Sequence, residues 1–438
     1  MHLRDKKLLI IDRGWFADVA LHCAKYCHVY YHCLRSSSFE DSQNTRIGEG
    51  FPGLTCVSSY EEILDEVDAV YFPDIYDGEK QVFLRKQGYS VCGNGTTELL
   101  ELDKDLFYKE LKENGLLVPP TGLITGVDNL LKWLSDKKPG DYFIKLAGRL
   151  RGDFETEEFT GKLPLQILVN HLKETLGEKT ANSTEFLVQK RIGDKTNSVE
   201  IGVDGFSLSG RMPRNSILGY EGKGEFNISK VVDRPPDFIQ KVLHKMEPMS
   251  KDREIMYKGK KKWVGGEAGN YSLEMRVMGG EKVYPIDDCR RAANPPTALL
   301  CKIYGQSYVQ AIFDLAEGEM PVMKPEAEYG VEIMLGSLWL NGKTKLHIGC
   351  PKDAVGNWLM LKTAVREDGE YYRLPINHNH GSIVGSVYET GFTWQEAMEK
   401  ALEHIDTLQI ADLEYTKTAM EDAEEIVELG EKLGIDFD

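Results

Sequence analysis

The stretch Tyr271–Pro296, YSLEMRVMGGEKVYPIDDCRRAANPP, decides how the fold of this chain is interpreted. Its pattern predicts two short strands joined by a turn at Gly279-Gly280, as in a β-hairpin. Glu274 lies on the first predicted strand and Asp287 lies at the end of the second. Because neighbouring strands can bring two carboxylates together, the hairpin suits a hard divalent cation such as Mg²⁺, which prefers oxygen ligands.

Three more charged residues, Asp288, Arg290 and Arg291, follow directly on the same stretch. Guanidinium groups beside carboxylates suit a phosphoryl oxygen or a substrate carboxylate. The alternative is a charged hairpin face whose acids and arginines form ion pairs within the sheet. The stretch by itself leaves both interpretations open, since short motifs also occur by chance.

The composition is that of a soluble globular protein. The chain has 438 residues, of which 41% are hydrophobic and 28% are charged. This length favours several domains rather than one core. A formal net charge of −17 argues against general binding to nucleic acid, although a local basic pocket can still hold an anionic nucleotide.

The sequence predicts a cytoplasmic protein without a membrane span. It contains no apolar run of about 18 residues, and its first apolar run is too short for a signal peptide. The eight cysteines are scattered and form no CxxC pair. This pattern favours reduced thiols and argues against a zinc site.

Strand and helix patterns alternate in the first part of the chain. The apolar run 7–11, KLLII, precedes a helix-like stretch and a second strand pattern, which is typical of a parallel α/β domain. We expect this domain to end near residue 97 and a single helix to follow over 98–115. The strand patterns between 186 and 214 alternate apolar and polar residues, as antiparallel strands do.

The second half combines a region without periodicity and further strands and helices. Residues 206–270 are rich in Gly, Lys and Arg, which predicts loops that form a substrate mouth. We expect one amphipathic helix over 297–317. From about residue 325 the chain shows strand patterns and then two more helices.

Lys145 is the most informative single residue outside the hairpin. It ends the predicted strand 142–146, just before a loop that contains Gly148 and Gly152. Backbone N–H groups of such a loop and a lysine ammonium suit a triphosphate. The alternative is an ordinary lysine at a strand end. Lys104, on the predicted helix 98–115, is a weaker candidate that also fits a solvated helix face.

The order of these pieces resembles the ATP-grasp superfamily, and within it the phosphoribosylamine–glycine ligase family. Residues 88–122, GYSVCGNGTTELLELDKDLFYKELKENGLLVPPTG, are similar to the segment that carries the first nucleotide lysine. YFIKLAGRLRGD at 142–153 is similar to the second lysine and the phosphate loop, and FLVQKRIGDKTNSVEIGVDG at 186–205 to the hinge and the strand after it. The opening hairpin resembles the paired metal strands.

The resemblance implies a role for each matching residue. The ATP-binding residues that it implies are Lys104, Lys145, Gly148, Arg149, Gly152, Gln189, Lys190, Arg191, Ile192 and Glu200. The Mg²⁺ or Mn²⁺ ligands that it implies are Glu274, Asp287 and Asp288. Cys289 stands where the family has a metal-binding asparagine, and a thiol is a poor ligand for Mg²⁺.

The same resemblance implies the fold and the activity. The fold would be α/β, with an α+β nucleotide-binding part: an N-terminal domain over 1–97, an ATP-grasp domain over 98–324 and a small α+β domain over 325–438. The activity would be an ATP-dependent ligation of a small carboxylic acid and an amine through an acyl phosphate, with release of ADP and phosphate.

Catalysis in this interpretation depends on Lys145 and Arg291. Arg211, Arg214 and Lys223, with Arg291, are the residues expected at the substrate mouth. Two alternatives stay open: a ligase of the same fold with other substrates, and an ATP-binding sensor or assembly module that has lost catalysis. Cys289 and the arginines in the phosphate loop favour the second alternative.

Overall fold

The computed structural model describes residues 2–33, 45–147, 156–194, 196–222, 224–342, 344–375 and 382–437. It has the mixed α/β fold class that the sequence predicts, with one parallel sheet and several antiparallel sheets. Within the described ranges, no helix combines the length and the apolar character needed to cross a membrane.

The first sheet is parallel, with the strand order β3-β2-β1-β4-β5. Its strands are β1 (Lys7–Asp12), β2 (His28–Cys33), β3 (Leu54–Cys56), β4 (Ala69–Tyr71) and β5 (Val91–Cys92). The helices that follow β1 and β4 are α1 (Ala17–Ala24) and α2 (Gly78–Lys86). Ligands of parallel α/β sheets bind at the carboxyl ends of the strands, so the turns after β1 and β4 are expected to line a binding site.

The helix expected over 98–115 is in fact two helices, α3 (Leu99–Leu102) and α4 (Lys104–Glu113). Asp103 separates them in an extended conformation, and its carboxylate accepts a hydrogen bond from the backbone N–H of Leu106. An aspartate in this position caps the start of the second helix. The cap makes Lys104 the first residue of α4.

A second sheet is antiparallel, with the order β6-β9-β7-β8. Its elements in chain order are β6 (Thr121–Thr125), α5 (Val127–Leu134), β7 (Tyr142–Leu146), β8 (Thr156–Glu158), α6 (Lys162–Leu176), α7 (Glu178–Ala181) and β9 (Glu185–Lys190). Strand β7 has the predicted bounds and brings Lys145 beside Leu187 of β9. The helices pack on this sheet around a separate apolar core that includes Ile144 and Phe186.

The largest sheet is built mainly from long antiparallel strands in the order β16-β15-β10-β11-β12-β17-β22-β19. The elements up to the hairpin are β10 (Ser198–Leu208), β11 (Ser216–Gly222), β12 (Phe226–Val232), α8 (Asp237–Ser250), β13 (Arg253–Tyr257), β14 (Lys260–Val264), β15 (Ala268–Met278) and β16 (Lys282–Cys289). The prediction of loops over 206–270 is therefore wrong. Glycines within β10 and β11 hide the strand alternation from a reading of composition.

Some of the remaining strands complete this sheet, four others form a separate antiparallel sheet, and helices connect and cover them. They are α9 (Thr297–Tyr304), α10 (Gln306–Ala316), β17 (Tyr329–Ser337), β18 (Leu346–Gly349), β19 (Leu359–Leu361), β20 (Ala364–Glu367), β21 (Glu370–Arg373), β22 (Ile383–Gly391), α11 (Trp394–Ile405), β23 (Gln409–Ile410), β24 (Leu413–Glu414) and α12 (Ala419–Lys432). The helix expected over 297–317 is interrupted at Gly305, whose φ is +49°. Strand β12 pairs with β17, so this sheet extends across the domain boundary predicted at residue 324. The division into three domains stays a prediction.

Helix α12 gives a test of how this sheet is covered. Gly430 lies against Tyr220 of β11, and a Cβ atom at position 430 would overlap the phenol group. Gly430→Ala should therefore lower the free energy of unfolding by about 1–3 kcal/mol, although alanine is the better helix former by about 1 kcal/mol. The measurement is a denaturant titration. Glu424→Ala, on an exposed position of the same helix, should change stability by less than about 0.5 kcal/mol, and an unchanged Gly430→Ala would contradict this packing.

Candidate active site

A cavity of about 790 Å³ lies where the turns of the parallel sheet, the second sheet and the hairpin β15–β16 meet. This volume is in the range of small-molecule and cofactor sites. The cavity brings together many of the residues named from the sequence. Those in its wall are Lys104, Lys145, Gln189, Lys190, Arg191, Ile192, Glu200, Glu274, Asp287 and Arg291.

The hairpin places two of its acids side by side. In the antiparallel register, Glu274 of β15 is opposite Asp287 of β16, and a register shift follows directly after Glu274. Side chains alternate between the faces of a strand, so Asp287 and Cys289 share one face. Both line the cavity.

Asp288 is on the other face of β16, away from the cavity. Its side chain is fully buried, and its Oδ2 accepts a hydrogen bond of 2.9 Å from Nε of Arg290. Arg290 also forms an ion pair with Glu267 and donates to the hydroxyl of Ser250. Asp288 and Arg290 thus belong to a buried ion-pair network. Their positions do not favour contact with a metal or a substrate.

A cluster of acids extends from Glu274 across the sheet. Ligand oxygens of Glu200, Glu221 and Glu274 lie within 4.8 Å of one another. The register explains this cluster, because Ile201 pairs with Tyr220 and the next position brings Glu200 next to Glu221. Arg276 balances part of the charge through an ion pair of 2.5 Å to Glu200. A group of carboxylate oxygens at this spacing fits a Mg²⁺ or Mn²⁺ ion.

The electrostatics of the cluster raise the pKa of Glu274 well above its usual value. Burial is the main cause, and the neighbouring carboxylates of Glu221, Asp287 and Glu200 add to it. Burial also raises the pKa of the Cys289 thiol. Cys289 therefore stays protonated near neutral pH, and the oxygen ligands carry any metal binding.

Two lysines share the cavity wall with these acids. Lys104 is buried, and its ammonium forms an ion pair with Asp287. Lys145 is 8% exposed on β7. Because burying an ammonium group is costly unless it has a counter-charge, a lysine here suits an anionic ligand.

The end of β9 and the residues after it form a further side of the cavity. Gln189 donates a hydrogen bond of 2.8 Å to the hydroxyl of Tyr108. Arg191 forms an ion pair of 2.6 Å with Glu158, and its guanidinium lies 4.8 Å from the ring centre of Phe143. These contacts attach the end of β9 to α4 and hold Arg191 against the second sheet.

Arg291 enters the cavity between two acids from the first part of the chain. Its guanidinium lies 3.4 Å from Oδ1 of Asp74 and 3.1 Å from Oε1 of Glu101. Burial raises the pKa of Asp74, and Arg291 opposes that rise. The two acids orient the guanidinium group.

Other residues named from the sequence are not part of this wall. Arg211 and Arg214 are exposed and form ion pairs with Glu247 at 3.0 Å and with Asp233 at 3.6 Å. Neither lines the cavity, so the geometry does not favour the predicted substrate role. Gly148, Arg149, Gly152 and Lys223 lie outside the described residues.

Sequence reasoning missed several residues that the structure places here. Glu221 was hidden because its region was interpreted as loops, although the alternation in SILGYEG, residues 216–222, is a usable signal. Asp74 lies shortly after β4, and Glu101 lies within α3. No local motif identifies them, since they reach the site only through tertiary packing.

Comparison with solved structures identifies the fold. The chain is similar to phosphoribosylamine–glycine ligase from Thermotoga maritima, with a TM-score of 0.62 and 16% identity over 93% of this chain and 98% of that one. It is also similar to the biotin carboxylase domain of 2-oxoglutarate carboxylase from Hydrogenobacter thermophilus, solved with MgADP and bicarbonate (TM-score 0.63, 14% identity, coverage 96% and 95%).

A third similar structure is N5-carboxyaminoimidazole synthetase from Staphylococcus aureus in complex with ADP (TM-score 0.55, 11% identity, coverage 91% and 96%). These three likenesses, at 16% identity or less, show that the chain shares the fold of these proteins, which is the fold that the resemblance predicts. Neither a protein-family model nor a curated protein sequence matches the chain.

The raised pKa of Glu274 predicts that metal binding depends on pH. A carboxylate must lose its proton to bind a cation, so Mn²⁺ affinity should increase by up to about tenfold per pH unit until Glu274 is deprotonated, and then level off. Titration of Mn²⁺ between pH 5 and 9, followed by electron paramagnetic resonance, measures this. Glu274→Gln should remove the dependence and Glu254→Gln, on the exposed hairpin β13–β14, should retain it; a flat profile in the unaltered protein would contradict the assignment.

Proposed function

We propose that this protein is an ATP-dependent ligase that joins a small carboxylic acid to an amine and releases ADP and phosphate. The observation that carries the proposal is that Lys145 and the hairpin acids Glu274 and Asp287, which lie far from Lys145 in sequence, line one cavity. The fold shared with ATP-grasp ligases supports it. Since one fold can host many activities, the argument depends on the chemistry of the site.

The cavity is suited to a nucleotide with its triphosphate against the two lysines. Lys145 and Lys104 supply positive charge from opposite elements, β7 and α4. A unit charge pair about 4 Å apart contributes about 4 kcal/mol at an effective dielectric of 20, before desolvation. Lys104 would exchange its partner Asp287 for a phosphate oxygen, and this exchange would leave Asp287 free to accept a cation.

Glu274, Asp287 and the adjacent Glu200 and Glu221 are the residues that would hold Mg²⁺ or Mn²⁺. When bound, the ion neutralises charge that develops on the phosphoryl oxygens. The protein's own contribution is to fix these carboxylates on four neighbouring strands, β16, β15, β10 and β11. That rigidity limits reorganisation during the reaction.

Arg291 is placed to orient the carboxylate that attacks the γ-phosphate. Its guanidinium is held by Asp74 and Glu101 and forms part of the cavity wall. Attack by a substrate carboxylate would give an acyl phosphate, and an amine would then displace phosphate to form the C–N bond. A carboxylate is a poor electrophile, so the phosphoryl group serves to create a good leaving group.

Lys145→Ala should abolish ADP release that depends on an acid and an amine, because it removes a buried positive charge from the triphosphate site. We expect a loss of at least about 100-fold in turnover, comparable with the loss of one stabilising donor in other active sites. A coupled ADP assay with panels of acids and amines measures it. Lys132→Ala, an exposed lysine on α5, is the matched control and should keep full activity.

Two outcomes would contradict the proposal. Titration of MgATP into the unaltered protein without heat and without a thermal shift would remove the nucleotide site. ATP binding without ADP formation, for every acid and amine pair tested, would instead favour the ATP-binding module without catalysis.

Glu274→Gln should impair turnover through loss of the metal. An amide oxygen remains a ligand but carries no charge, so excess Mg²⁺ should restore part of the activity. The measurement is the Mg²⁺ concentration for half-maximal turnover, expected to rise about tenfold or more. Unchanged turnover in Glu274→Gln at low Mg²⁺ would refute the metal role.

A further inference from the structure

The turn after β1 does not offer its helix N-terminus to an anion. The carboxylate of Asp12 accepts hydrogen bonds from the backbone N–H groups of Arg13 at 2.6 Å, Trp15 at 3.4 Å and Phe16 at 2.9 Å. It also accepts the hydroxyl of Tyr31 at 2.6 Å. Free N–H groups at a helix N-terminus are a common phosphate site. Here a buried negative charge occupies the N–H groups, and that charge would repel a phosphate.

The same turn presents a cation and a ring to the cavity. Arg13 and Trp15 both line its wall. One guanidinium nitrogen of Arg13, Nη2, donates to Asp77 at 3.0 Å. Its Nε is buried without a hydrogen-bond partner among the described residues. The Arg13 side chain as a whole is 32% exposed, so the outer part of its guanidinium can pair with a carboxylate that binds beside Asp77.

Tyr76 forms the other side of this subsite. The Arg13 guanidinium lies 5.2 Å from the centre of its ring, and the residue lines the cavity at 43% exposure. Its φ is +82°, which is unfavourable for an aromatic residue. The backbone N–H of Tyr76 donates to Glu98 at 2.8 Å and so helps to hold this conformation. Backbone strain of this kind clusters at active sites and at positions that bind ligands.

The short segment 74–77 connects this subsite to the proposed reaction centre. Asp74 contacts Arg291, whereas Asp77 contacts Arg13. Both guanidinium groups are therefore aligned by one turn at the carboxyl end of β4.

We propose that this half of the cavity binds a planar carboxylate, meaning a carboxylate attached to an aromatic or conjugated group, and that it does not bind a sugar phosphate. In the protein without nucleotide, the state in which the test is made, the carboxylate pairs with Arg13 and the planar group lies against Trp15 and Tyr76. Arginine suits such a ligand because its planar fork pairs with a carboxylate and stacks on rings. The inference rests on the proposed function, since it names the substrate class of the same site.

The test is saturation-transfer NMR on the full chain without nucleotide. The probes are indole-3-acetate and 4-hydroxybenzoate as planar carboxylates, succinate as a non-planar one, and ribose 5-phosphate as a sugar phosphate. We expect signals from the planar carboxylates and none from ribose 5-phosphate. Arg13→Gln should weaken binding of indole-3-acetate at least about tenfold, whereas the exposed Arg214→Gln should leave it unchanged.

Two further variants keep the test decisive. Arg13→Lys retains the charge but lacks the planar fork, so it should also weaken binding. It replaces Arg13→Gln as the test variant if Arg13→Gln fails to fold. Tyr76→Asn should weaken binding while the melting temperature stays equal or rises, because asparagine tolerates a positive φ better than tyrosine. A ring with a merely structural role would instead give a lower melting temperature with binding intact.

Separate ATP titrations distinguish the two proposals. A protein that binds ATP but no planar carboxylate, or that prefers ribose 5-phosphate, overturns this inference and leaves the ligase proposal standing. A protein that binds planar carboxylates through Arg13 but shows no ATP binding overturns the ligase proposal instead.

Discussion

The alternation of side chains along β16 is the constraint on which the site depends. Asp287 and Cys289 face the cavity, while Asp288 and Arg290 belong to the buried network behind it. A shift of one residue in the pairing with β15 would exchange the two sets. It would put a neutralised ion pair in the cavity and leave unpaired acids in the core. The buried pair of Asp288 and Arg290 thus helps to specify the register that exposes Asp287.

Much of this arrangement could be predicted from local sequence. Apolar runs located β1 and β7, and a glycine turn located the hairpin that pairs Glu274 with Asp287. These patterns are governed by rules within a few residues, so a single sequence contains them. The order of the motifs then indicated the fold, which the solved structures confirm.

The rest depends on contacts between distant parts of the chain. The sequence run Asp287-Asp288 gives no sign of which acid is buried until Arg290 and Glu267 are placed around one of them. The glycines of β11 likewise concealed this strand and with it Glu221. A strand deep within a large sheet is buried on both faces, so it also shows little alternation of apolar and polar residues. Asp103 divided a helix through its side-chain cap, which outweighed the helical pattern on both sides.

Three cations of the cavity already have internal counterions. Arg13 lies against Asp77, Arg291 against Asp74 and Glu101, and Lys104 against Asp287. An incoming anion therefore gains affinity by exchange of partners rather than by attraction over distance. Pairs sheltered from solvent are little affected by dissolved salt. Selectivity in such a cavity depends on how closely the atoms of a ligand match those of the carboxylate that it replaces. In this way a chain with a large negative charge can still bind an acidic ligand.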